Sequence, residues 1–205
     1  MSASETFVHR FVPGNSRRTL LILHGTGGNE DDLLPVGRML DPESALLSPR
    51  GKVLENGNPR FFRRLREGVF DEEDLIQRAH ELADFVTAAA KENALDDSQI
   101  VAVGYSNGAN IASAMMLLRP EILRGAVLLR GQVPLVPKEL PNLTGKAVFL
   151  SSGEFDPIVD AENASALAEM LKRAGADVKH KLLNSGHEIS RVDIDEAREW
   201  LARLA

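Results

Sequence analysis

Gln99-Ile-Val-Ala-Val-Gly-Tyr-Ser-Asn-Gly-Ala-Asn-Ile-Ala-Ser-Ala-Met-Met-Leu-Leu118 is the most informative segment of the chain. Its first five residues read as a buried strand, and Ile111 to Leu118 read as a helix. Between them lies Gly104-Tyr105-Ser106-Asn107-Gly108, a G-x-S-x-G motif. A serine at so sharp a strand-to-helix turn is held in a strained conformation with its hydroxyl exposed. Side chains at the two glycine positions would collide with the neighbouring strand and helix. The turn also sets a helix N-terminus, with its unpaired N–H groups, beside any negative charge that develops at that oxygen. The motif in this context points to a serine hydrolase.

In this segment and on both sides of it, short continuous apolar runs recur at Thr19–Leu23, Ala45–Leu47, Ile100–Val103, Ala126–Leu129 and Ala147–Leu150. None alternates, as expected of strands buried on both faces of a parallel sheet. Val178–Leu183 alternates more and suits a strand near the edge, and Phe7–Val12 is a candidate antiparallel strand at the start. From Glu72 to Asn93 an apolar face repeats at helical spacing, with Asp71 placed to cap it. Further helices are expected over Ala161–Ala174, stopped by Gly175, and over Asp193–Ala205. Alternating strands and helices imply an α/β fold with a doubly wound, mostly parallel sheet and helices on both faces. At 205 residues the chain fits one domain spanning 1–205, too short for a large cap domain.

Composition narrows the function. The net charge of −6 argues against nucleic acid or an anionic membrane as the main partner. With no cysteine, disulfides, thiolate metal sites and cysteine catalysis are excluded. No His and carboxylate cluster has metal-ligand spacing, so no metal and no cofactor are expected. The first residues lack a basic segment followed by an apolar stretch, and no apolar run approaches membrane-spanning length. The expected location is therefore cytoplasmic, without stable membrane insertion.

A serine hydroxyl needs a base to take its proton and a carboxylate to orient that base. His187 has the best address among the five histidines. It follows the last strand in Asn184-Ser-Gly-His-Glu188, at the sheet edge where α/β proteins place their sites. The acid is expected in Ser151-Ser-Gly-Glu-Phe-Asp-Pro157, after the preceding strand. Asp156 is the candidate there, with Glu154 and Asp160 as substitutes. The chain order Ser106, Asp156, His187 is the one this fold uses.

Acyl transfer also needs donors aimed at the tetrahedral oxyanion. One is assigned to the backbone N–H of Asn107, directly after the nucleophile. The other is assigned to Thr26 in His24-Gly25-Thr26-Gly27-Gly28. Glycines such as Gly25 let the backbone approach a substrate closely there. The loop lacks the lysine and serine of a phosphate loop. His24 is expected to order it, while Asp31 and Asp32 are expected to cap a helix that follows.

Taken together, L-H-G-T-G-G, G-Y-S-N-G-A-N, S-G-E-F-D-P and S-G-H-E resemble the α/β-hydrolases of the carboxylesterase/phospholipase family, which includes acyl-protein thioesterases. The resemblance covers nearly the whole chain. It implies the α/β-hydrolase fold and a Ser-His-Asp triad and says much less about the substrate, for which a small-molecule ester is the expectation. Ser48 to Arg64 departs from the thioesterase pattern, which carries a tryptophan-containing segment there. That stretch is more similar to small bacterial hydrolases associated with hydroquinone stress.

The same segment mixes paired aromatics with arginines. Phe61 and Phe62 are candidates to wall an acyl or aromatic pocket, and Arg60, Arg63 and Arg64 to meet a substrate carboxylate. The more ordinary role for the arginines is pairing with Glu67, Asp71, Glu72, Glu73 and Asp74 at the surface. The expected activity is hydrolysis of esters with small or medium acyl chains. A thioester, lysophospholipid or lactone substrate and a non-catalytic binding role of the same fold stay open. The oligomeric state stays open, with a homodimer as the general prior, and Met115 and Met116 are candidates for either core or exposed apolar surface.

Overall fold

Apolar runs become strands because their backbone groups pair within a sheet while both faces stay dry. The computed structural model describes residues 6–204. β1 (His9–Val12), β2 (Thr19–Leu23) and β3 (Ala45–Pro49) come first. The short strands β4 (Val53–Glu55), β5 (Asn58–Arg60), β6 (Arg64–Arg66) and β7 (Val69–Phe70) follow. β8 (Ile100–Tyr105), β9 (Gly125–Leu129), β10 (Ala147–Gly153) and β11 (Asp177–Leu183) complete the set. The main sheet runs β1-β3-β2-β8-β9-β10-β11. Only the β1–β3 pairing within it is antiparallel, with His9 opposite Pro49. The expected antiparallel first strand is therefore present, and the half-buried β11 lies at the opposite edge.

Successive strand residues point to opposite faces, so the apolar runs divide between two cores. Leu21, Leu23, Ala102 and Leu128 face one layer of helices. These are α2 (Glu72–Glu92), α3 (Asn107–Leu118) and α4 (Ala161–Arg173). Leu20, Ile22, Val103 and Phe149 face the other, α1 (Leu34–Leu40) and α5 (Arg191–Arg203). Met115 and Met116 are buried in the first core. Asp71 caps α2 by accepting from the Asp74 N–H, and Gly175 (φ 99°) follows α4. Ala205, where the last expected helix was to end, lies outside the described residues.

One expectation from the sequence is corrected in the loop after β2. Asp31 and Asp32 do not cap α1, whose N-cap is Leu33 with no side-chain cap bond. Asp32 instead accepts from the Asn29 N–H, and Asp31 pairs with Arg10. Residues 53–70, to which the sequence reading gave no secondary structure, form two hairpins, β4–β5 and β6–β7. Asn56 and Gly57 turn the first with φ of 52° and 83°, the double positive φ of a tight hairpin turn.

Because β2 and β8 to β11 are parallel, their following loops meet at one edge. The chain passes from β2 outward to β3 and returns on the other side as β8, so a crevice opens between the ends of β2 and β8. Leu23 pairs with Gly104 there.

Candidate active site

Ser106 stands at the end of β8 with φ 52° and ψ −112°, a backbone conformation that costs a non-glycine residue on the order of 1–3 kcal/mol. Packing on all sides holds it there. Its N–H donates to the Leu129 carbonyl of β9 at 2.8 Å, and its carbonyl accepts from the Asn110 N–H of α3 at 3.0 Å. A Cβ on Gly104 would overlap the Gly108 carbonyl, and one on Gly108 would overlap the Leu23 carbonyl. Both glycines therefore let α3 pack against β8 and β2 so closely that the serine is forced outward.

His187 follows β11 and Asp156 follows β10. The His187 Nε2 lies 3.0 Å from Ser106 Oγ, and its Nδ1 lies 2.8 Å from Asp156 Oδ2. A carboxylate beside Nδ1 fixes the proton on that nitrogen, which leaves Nε2 free to accept from the serine. Asp156 is itself fixed: its Oδ1 accepts from the Ile158 and Val159 N–H groups at 2.8 and 3.0 Å. Its side chain is 1 % exposed. The alternatives stand apart, since Glu154 is exposed and Asp160 caps α4. The Tyr105 hydroxyl donates to the His187 carbonyl at 3.2 Å; burial pushes that phenol up and keeps it a donor.

A cavity of about 270 Å³ opens over Ser106 and His187, with Thr26, Asn107, Asn110 and Gln132 in its wall. The Asn107 N–H opens α3 and has no intrahelical partner. The Thr26 N–H makes no protein hydrogen bond among the described residues. His24 lies beneath this loop, its Nδ1 bonded to the Gly25 carbonyl and its Nε2 accepting from the Gly51 N–H. Burial lowers its pKa, which favours the neutral ring those two bonds require. Gly25 stays below the cavity, where a Cβ would strike the Tyr105 ring.

The aromatic and arginine segment divides. Phe61 and Phe62 do not line the cavity; they are buried in the core, against His24 and Phe70 respectively. The Phe61 N–H donates to Asn107 Oδ1 at 2.7 Å, which turns the two rings inward. Phe70 takes the place in the wall that sequence reading gave them. Arg63 pairs with Asp71 at the surface, whereas Arg60 and Arg64 line the cavity.

Arg130 was not anticipated. It follows β9 with φ 57° and is fully buried. Its guanidinium binds Asp193 of α5 through Nη1–Oδ1 at 2.7 Å and Nη2–Oδ2 at 2.8 Å. The same group donates to the carbonyls of Gly186 (2.9 Å) and Glu188 (2.8 Å), on either side of His187. Asp193 also accepts from the Ser151 and Ser190 hydroxyls. No local motif marks Arg130, and the Ser190-x-x-Asp193 capping box marks Asp193 only as a helix start, because the two partners are 63 positions apart.

Fold and site together define an α/β-hydrolase: a mostly parallel sheet, a strained serine after a central strand, and a histidine loop at the same edge. The chain belongs to the phospholipase/carboxylesterase family, whose model matches residues 13–205, and is an esterase-type hydrolase of that family. It is 45 % identical to MhqD of Bacillus subtilis (strain 168) over 192 residues, covering 94 % of this chain and 96 % of that one. This agrees with the resemblance to small bacterial hydrolases. The crystal structure of the Bacillus cereus carboxylesterase superposes with a TM-score of 0.94 at 47 % identity, covering 96 % of this chain and 93 % of that one. YahD, solved with malic acid, superposes with a TM-score of 0.90 at 31 % identity, covering 96 % and 98 %.

Proposed function

We propose that this protein hydrolyses carboxylic esters of small acyl groups through Ser106, His187 and Asp156, by way of an acyl-enzyme. The observation that carries the reading is the continuous Ser106–His187–Asp156 hydrogen-bond chain at 3.0 and 2.8 Å. As Ser106 Oγ bonds to the ester carbonyl carbon, its proton passes to His187 Nε2. Asp156 holds the ring and stabilises its charged form. The N–H groups of Thr26 and Asn107 receive the negative oxygen. The carbon–alkoxide bond then breaks, and the His187 proton leaves with the alcohol. Water, deprotonated by His187, attacks the acyl carbon, and the acid departs as the proton returns to Ser106 Oγ.

The cavity of about 270 Å³ supports the small end of the acyl range, since pockets for drug-sized ligands run to roughly 300–1,000 Å³. A relative solved with malic acid adds support for a small, oxygen-rich ligand. The test is an ester panel of increasing acyl length on wild type and Ser106→Ala, with fluorophosphonate labelling in parallel. Labelling confined to Ser106, and a loss on the order of 10⁴-fold or more in the variant, is the expected result. Turnover in Ser106→Ala near that of wild type ends the assignment.

A further inference from the structure

Arg60 lines the cavity beside Thr26 and Ser106, yet it is 3 % exposed. Its Nη1 donates to Thr26 Oγ1 at 2.6 Å and its Nε to the Phe62 carbonyl at 3.2 Å; among the described residues Nη2 has no hydrogen-bond partner. The nearest carboxylate is Glu55, 3.5 Å from Nη1, which Arg64 engages more closely at 2.8 Å. Two guanidiniums therefore share one carboxylate, and the buried one has the weaker half of it. Burial first, and then the neighbouring Arg64, lower the Arg60 pKa, but an arginine stays charged. Glu67 also borders the cavity, on the exposed β6–β7 turn, where water screens it. Beside Ser106, the Asn107 Nδ2 is a buried donor without a partner.

A mostly buried, under-paired cation with one edge on a substrate cavity is poorly balanced until an anion reaches it. We propose that the site is built for esters whose acyl half carries a second, ionised carboxylate, of the size of short dicarboxylic half-esters, with Arg60 binding that carboxylate. This rests on the esterase reading above. The leaving alcohol must lie against His187 Nε2 to receive its proton. Arg60 bonds to the Thr26 loop instead, and among the described residues it makes no hydrogen bond or ion pair with the His187 loop, which assigns the charge to the acyl side. Phe70, Ile158 and Val159 supply apolar wall for the methylenes between the two carbonyl groups.

The experiment compares methanol release from monomethyl succinate and from methyl butyrate by wild type and by Arg60→Met. The expected kcat/KM ratio in wild type favours the half-ester by about tenfold or more, the scale of one charge-assisted hydrogen bond. In Arg60→Met turnover of both esters drops, because Thr26 loses its partner, but the ratio itself falls by about tenfold. A readout that needs no variant is inhibition of methyl butyrate turnover in wild type: free succinate competes, and butyramide at equal concentration does not. A wild-type ratio at or below one, or no competition by succinate, overturns the proposal while leaving the esterase reading intact. Absence of all ester turnover together with absence of fluorophosphonate labelling overturns both.

Discussion

Arg130 and Asp193 meet as a doubly bonded ion pair with both side chains fully buried, and the same guanidinium grips the carbonyls flanking His187. Three parts of the sequence, the end of β9, the histidine loop and the first turn of α5, are thereby tied at one point. The charge pair is a costly way to gain stability alone. Its geometry makes sense as a means of fixing where His187 stands.

Removing one partner leaves the other charge buried, so Arg130→Met should destabilise the fold by about 3–5 kcal/mol in urea unfolding. The double variant Arg130→Met, Asp193→Leu should recover much of that loss, because two apolar groups replace two desolvated charges. Its kcat should nonetheless stay about 10- to 100-fold below wild type, since the His187 loop has lost its grip and small displacements are costly in catalysis. A double variant restored in both stability and kcat would reduce the pair to a structural element.

Acid should expose the same pair. Burial pushes the Asp193 carboxyl upward, but the Arg130 guanidinium and the Ser151 and Ser190 hydroxyls outweigh it and hold the group below its ordinary value. A carboxylate depressed on folding stabilises fully above the unfolded pKa of about 3.9. That contribution drains as pH falls through the folded value. The stability gap between wild type and Asp193→Asn should therefore narrow below about pH 4. Urea midpoints from pH 6 to pH 3 read it directly, and a constant gap contradicts the assignment.

His24 predicts a second, milder window. Burial lowers its pKa, and burial also lowers that of His180, which bonds Ser152 Oγ at 3.0 Å. Each is neutral when folded, so its contribution is complete above the unfolded value of about 6.5 and drains as pH falls through the folded one. Between pH 8 and pH 5 the urea midpoint of wild type should decline. The His24→Asn variant should decline less steeply, with His180 supplying the remaining slope. Identical slopes would mean that the ring under the Thr26 loop is not held neutral.

How far the sequence was legible follows from the range of each interaction. Continuous apolar runs marked the central strands because burial on both faces is a local demand on every residue. The strand–serine–helix turn is equally local, and its two glycines report the close approach of α3 to β8 and β2. The helix at Leu34–Leu40 was legible only through Asp31 and Asp32 as supposed caps, and its extent was not: it is short, contains Pro35 and Gly37, and has no side-chain cap. The β4–β5 hairpin did leave a trace in Asn56-Gly57, a strong short-range turn signal. Phe61 and Phe62 misled because aromatic residues near a site edge suit a pocket and a core equally. What decided between them is the bond from the Phe61 N–H to Asn107, 46 positions away. Arg130 and Asp193 were beyond reach for the same reason.

The strain at Ser106 gives the remaining prediction. Its positive φ arises because α3 must begin where β8 ends, with Gly108 pressed against the Leu23 carbonyl. Alanine keeps the Cβ and so keeps the strain, whereas glycine accepts positive φ without steric cost. Both variants lose the hydroxyl and should be equally inert, so their difference isolates the backbone. Ser106→Gly should unfold at higher urea than Ser106→Ala by about 1 kcal/mol, despite the greater chain entropy glycine confers on the unfolded state. Equal midpoints would mean that the neighbours hold the serine outward without conformational cost. A higher midpoint for glycine would mean that stability is given up at this residue so that Oγ can stand within reach of His187.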